Sequence, residues 1–162
     1  MATMFTSGHL SRMMGDKRKP FLVFGSVNIL LAVLILLTGS IFKFPAPFFM
    51  LAYIMLAISG GLTPVTVSFV KELNPRDVAA LSVGLQNTVS YVAVAVSANL
   101  IGLILDVFKG RAVSINGAWA YPAEAYTTIF TLMLIFSLVA VLASFRARET
   151  HGRSIHEPAK PV

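Results

Sequence analysis

The chain has no cysteine, a single tryptophan and few charges. Without cysteine there is no disulfide scaffold and no thiolate-ligated metal or redox centre. Charged residues make up 12% of its 162 residues, against roughly 25% in an ordinary soluble domain. That is too few to cover a water-facing surface around a chain that is 56% hydrophobic. Charge is also absent from whole stretches. Residues 21–42, 44–70, 78–105 and 125–145 contain no Asp, Glu, Lys, Arg or His. A bilayer core about 30 Å thick takes roughly 20 helical residues to cross, and each stretch is long enough. The sequence therefore predicts an all-α polytopic membrane protein. Its four spans lie near residues 21–42, 45–70, 78–105 and 125–145 of a membrane domain 20–145, preceded by residues 1–19 and followed by a tail, 146–162.

Other absences narrow the function. No ionisable residue lies mid-span, where buried carboxylates and basic groups mark proton relays and ion sites, so these spans supply no coupling residue of their own. His9, His151 and His156 fall outside the spans without metal-ligand spacing, and read as solvated polar residues. No Ser/His/Asp set is ordered into a triad, and no Gly-rich loop follows a strand. Neither enzyme chemistry, a metal nor a cofactor is expected. Residues 21–42 are too long for a signal-peptide core of about 7–15 residues, and further spans follow them.

What charge there is points one way. The net charge of +6 would suggest nucleic acid in a soluble domain, but here the basic residues flank membrane spans. Of 13 Lys and Arg, only Lys43, Lys109 and Arg111 fall in the first and third inter-span loops. The other ten lie before span one, between spans two and three, or after span four. By the positive-inside rule, both termini and the loop 71–77 are expected in the cytoplasm, with the spans in the cell membrane.

The spans differ. The first and fourth are apolar around nearly the whole circumference, with Asn28 and Ser137 isolated; lone polar residues in a span usually bond a neighbouring helix or their own backbone. Span two carries "SGGLTPVTVS", residues 59–68. Pro64 cannot donate to the carbonyl of Gly60, so a kink is expected there, with the freed carbonyl met by a hydroxyl, water or another helix. Asn74, Pro75 and Asp77 read as the capped start of span three. At about 100° per residue, span three places Ala80, Gly84, Asn87, Tyr91, Ala95, Ala98 and Gly102 on one side. Leu85, Val89, Val92, Val96, Leu100 and Leu103 lie on the other. The small, polar face is either a close helix-packing seam or a wall facing substrate or water, with Asn87 and Tyr91 its best contacts. Asp106 reads as interfacial.

The segment "GHLSRMMGDKRKP", residues 8–20, resembles the cytoplasmic loop signature of the major facilitator superfamily, Gly-x-Leu-Ser/Ala-Asp-Arg-x-Gly-Arg-Arg-Lys. Gly8, Leu10, Ser11, Gly15, Lys17 and Arg18 match it. Arg12 stands at the acidic position, Met13 at the following arginine and Asp16 at the first basic residue after the second glycine. Those departures bear on the gating role, in which the acidic group helps latch neighbouring helices. "GGLTPVTVSFVKELNP", "VGLQN" and "GLILD" resemble the tenth and eleventh spans of such transporters, and "FRARETHGRSIHE" resembles the exit of a final span. The resemblance covers nearly the whole chain and about two-fifths of a full transporter, from a stub of helix eight, "MATMFTSG" in residues 1–8, through helix twelve.

The resemblance implies a secondary-active transporter moving a small solute by alternating access, bound between two halves near the midplane. Tyr53, Ser59, Gly60, Gly61, Thr63, Pro64 and Thr66 of span two would line the cavity. Gly84, Asn87, Tyr91, Ala95 and Gly102 of span three would meet the other half, and spans one and four would be peripheral. The partners are then the bilayer, the N-terminal half of the transporter and a small solute, with no nucleic acid, and this portion alone would not transport. The competing reading is a non-transporting four-span interaction or assembly protein, or a gene remnant. A small multidrug exporter is disfavoured, because those proteins generally carry an acidic residue in the first span.

Overall fold

The computed structural model describes residues 16–115 and 117–156. It contains four helical segments long and apolar enough to cross a membrane. Proline and glycine set where they begin and end. Helix α1 (Lys19–Phe42) starts with Pro20 in its first turn, where a missing N–H costs nothing. It stops at Lys43, whose left-handed backbone sends its N–H to the Gly39 carbonyl, and Pro45 follows. Helix α2 (Ala46–Gly60) runs back and breaks at Gly61–Leu62, and α3 (Thr63–Leu73) completes the second span. The break falls where Pro64 predicts it. The Gly60 carbonyl, deprived of its ordinary donor, accepts the Thr63 hydroxyl at 2.8 Å, the local repair that a bilayer requires.

Helix α4 (Ala79–Phe108) is the third span and α5 (Ala123–Arg146) the fourth. Asn74 does not open α4. Its side-chain amide donates back to the Val70 carbonyl at 2.8 Å, so it closes α3, and α4 begins after a turn in which Val78 N–H bonds the Pro75 carbonyl. An amide can cap a helix end only on the side its own backbone reaches, and extended Asn74 lies against α3. The purely helical expectation also omits a short antiparallel hairpin between α4 and α5, β1 (Val113–Ile115) and β2 (Ala118–Ala120), which pairs Ser114 with Trp119. The signal was in the sequence, because Asn-Gly between alternating residues is the strongest short-range hairpin cue, and Gly117 takes the positive φ of 81° that such turns demand.

Packing centres on α1, which lies mainly against α5 and α2. Ala32, Leu36 and Ala52 form its buried core, with Ile35, Met55 and Phe130 packed around them. Small residues let the helices approach, and hydroxyls and amides tie them. Ser26 meets Ser144 of α5 at 2.8 Å. Asn28, isolated in the sequence, donates to the Met55 carbonyl at 2.6 Å and the Ser59 hydroxyl at 2.8 Å on α2. Ser137 bonds its own backbone at Leu134. These contacts bring the start of α1, the end of α3 and the exit of α5 together at one end of the bundle. The hairpin lies at the other.

Candidate functional site

At the end where α1 begins, Arg18 reaches the carboxylate of Glu72 in the last turn of α3. Its Nη2 donates to Glu72 Oε1 at 2.8 Å and its Nε to the same oxygen at 3.0 Å. The Nε also lies 3.3 Å from Oε2. The fork geometry suits guanidinium to carboxylate, and each side chain is only 12% exposed. The Thr150 hydroxyl, from the segment after α5, donates to Glu72 Oε2. Asp16 stands 3.7 Å from Arg18 on the open side.

A second acid completes the cluster. Glu149 places its carboxylate on the first N–H groups of α1, accepting from Arg18 N at 2.7 Å and Lys19 N at 3.1 Å. Those donors have no partner inside their own helix, and the dipole at a helix start favours the negative charge. Beyond it the chain folds back. Ile155 N–H donates to the Glu72 carbonyl at 3.1 Å, and the His156 ring meets the Leu73 carbonyl at 3.2 Å. The turn needs glycine at 152. Its φ is +70°, and a Cβ there would sit 2.7 Å from Cβ of Asp16. The result is a latch in which the exit of the last span is clasped to the start of the first and the end of the second.

Burial opposes ionisation of Glu149, yet the backbone N–H groups of Arg18, His151, Lys19 and Thr150 outweigh it and hold its pKa below the ordinary 4.5. A carboxylate depressed in the folded state contributes stability above its unfolded pKa and loses that contribution as pH falls through the folded value. Docking of the tail should therefore hold at neutral pH and fail progressively below about pH 4.5. The fluorescence of an environment-sensitive label at Ser154, followed directly against pH, checks it. Glu149→Gln should make the tail cleavable by trypsin already at neutral pH.

Of the residues expected to matter from the loop signature, Arg18 is the one at the centre of the latch; Lys17 is exposed beside it. Gly8, Leu10, Ser11 and Gly15 lie outside the described residues. The span-two residues divide. Ser59 bonds Asn28 and the Gly25 carbonyl and so turns towards α1, and Gly61 is buried. Tyr53, Gly60 and Thr63 are exposed, with Pro64 and Thr66 half-covered.

Helix α4 has no buried residue. Gly84, Asn87, Tyr91, Ala95 and Gly102 are all exposed, Tyr91 by 76%, and nothing lies within 4 Å of where a Cβ would stand at Gly84 or Gly102. The branched stripe is bare too, apart from half-covered Leu100. What contact α4 makes with α3 and α5 runs along a third line, through Ser82, Gln86, Ser97, Ile101 and Ile104. On that line Gln86 Oε1 is buried without a donor among the described residues.

Sequence reasoning missed Glu72, Glu149 and Thr150. Among the described residues no group of three or more His, Asp or Glu side chains is placed to hold a metal ion. What the cluster can do is hold three chain segments together by charge and release them when one charge is removed or displaced. No protein-family model, curated protein or solved structure matches this chain.

Proposed function

We propose that the chain forms the last four membrane helices of a major facilitator transporter, which moves a small solute across the cell membrane by alternating access. The observation that carries this reading is the bare small-residue face of α4. Gly84 and Gly102 have open space over them, and in a bilayer a stripe of Gly, Ala, Asn and Tyr is suited to close approach by another helix rather than to lipid tails.

The latch supports the reading from the other end of the bundle. Arg18 belongs to the loop that resembles the facilitator signature, and a charged group there is expected to hold helices together while the transporter faces one side. The acidic position within the loop is Arg12, so its carboxylate is absent, and Glu72 and Glu149 supply the partners from elsewhere. The basic clusters at this end favour its cytoplasmic side by the positive-inside rule. The broken second span, exposed at Gly60 and Thr63, would face the cavity between the halves.

Alternating access needs two bodies moving about a shared site, and these helices belong to one of them. Vesicles containing this polypeptide alone should therefore move no solute beyond empty vesicles, while the same vesicles with a polypeptide carrying the preceding eight helices added should. Uptake of a panel of radiolabelled small solutes measures it. Solute movement by the isolated chain would overturn the reading, and detection of a stable self-assembled oligomer through α4 would favour a four-span interaction protein instead.

A further inference from the structure

We propose that the aromatic pocket between α1, α2 and α5, at the end of the bundle away from the latch, holds the headgroup and upper chain of one anionic phospholipid. The pocket has a volume of about 360 Å³, within the ligand-sized range of about 300–1,000 Å³. Phe49 and Tyr53 face it from α2 and Tyr126 and Phe130 from α5. Each pair is spaced four residues apart, so each presents one helix face. The absence of a side chain at Gly39 lets the Phe49 ring close the floor, where a Cβ would stand 3.1 Å from its Cζ. The polar groups of the floor are already used: the Ser40 hydroxyl bonds Thr127 at 3.0 Å and the Ala123 carbonyl at 3.3 Å.

Lys43 decides the charge of the occupant. It is the one charged residue between positions 20 and 70, it is exposed, and it lines the pocket. Among the described residues no carboxylate forms an ion pair with it, and Glu124 is not part of the lining. An aromatic enclosure by itself would suit a quaternary ammonium group, but a lysine on its wall repels one and attracts a phosphate. The position decides the class. Helix α1 ends at Phe42, α2 begins at Ala46 and α5 at Ala123, so the pocket lies where spanning helices leave the bilayer. Tyrosines 60% and 41% exposed, Tyr53 and Tyr126, are suited to that boundary, their rings among chains and their hydroxyls among headgroups. Phosphate at Lys43 with the first chain carbons over Phe49 and Phe130 satisfies both ends. Lipid binding here is independent of any transport role.

The test is native mass spectrometry of the full chain released from detergent in the presence of equimolar phosphatidylglycerol and phosphatidylcholine. The phosphatidylglycerol adduct should exceed the phosphatidylcholine adduct about fivefold, the preference one basic side chain confers at an anionic headgroup. Lys43→Gln should abolish the preference, Lys43→Arg should keep it, and Lys109→Gln should leave it unchanged. Soluble glycerophosphoglycerol at the same concentration should not displace the lipid. Equal retention of the two lipids by the unaltered chain would overturn the proposal, as would an undiminished preference in Lys43→Gln with unchanged circular dichroism. Displacement by the soluble headgroup would overturn the lipid assignment in favour of a free phosphate site.

Discussion

Replacing Arg18 by methionine should destabilise the protein by about 2–3 kcal/mol and make its tail cleavable by trypsin. Two regimes compete for the size of this effect. An exposed ion pair contributes about 0–1 kcal/mol, while removing one partner of a buried pair costs about 3–5 kcal/mol, because the other charge is left desolvated. With both side chains only 12% exposed, the Arg18–Glu72 pair belongs near the second regime, and its place at the helix ends puts it at the lower edge. Glu72 in the variant would keep the Thr150 hydroxyl and lose the guanidinium. The double variant Arg18→Met with Glu72→Leu should recover most of the loss, since an apolar pair of similar volume leaves no orphaned charge. Unfolding by SDS titration in mixed micelles gives the free energies, and trypsin cleavage after Arg148 and Arg153 reports the tail. If the single and double variants are equally destabilised, packing of the arginine stem and not its charge holds the latch.

The latch also marks where sequence reading stops. Charge-free runs gave the spans because a bilayer imposes its thickness on composition, and Pro64 gave the break because a missing N–H has only local consequences. Asn28 was legible as a polar residue in need of a partner, though not which partner. The latch joins residues 54 and 131 positions apart. Nothing in the local sequence of Glu72 or Glu149 separates a clasping carboxylate from a solvated one; only their scarcity, as two of seven acids, was available as a cue. Helix α4 fails to read for a different reason. In water, apolar residues sort to the inside, but in lipid a branched stripe is equally at home outward. Its wheel therefore separated small from bulky correctly without locating the line through Ser97 and Ile101 that touches the bundle.

The largest effect at the bare face should appear only on assembly. Gly84→Leu and Gly102→Leu add side chains where no atom lies within 4 Å, so each should leave the stability of the four-helix unit within about 1 kcal/mol of the unaltered chain. Gly25 and Gly39 are the internal contrast. A Cβ at Gly25 would lie 2.9 Å from Leu62 Cδ1, and one at Gly39 3.1 Å from Phe49 Cζ, so leucine at either should cost about 1–3 kcal/mol through overpacking. Association should invert that order. If α4 meets the other transporter half backbone to backbone, a leucine at 84 or 102 holds the helices apart and forfeits the close contacts that drive pairing in lipid. Capture of a separately expressed N-terminal half by the tagged chain should then fall at least about tenfold, which corresponds to about 1.4 kcal/mol. Gly84→Ala, which adds a single methyl group, should lose less. Capture that survives Gly84→Leu and Gly102→Leu together would show that α4 faces lipid in the assembled protein, and the transporter reading would lose the observation on which it rests.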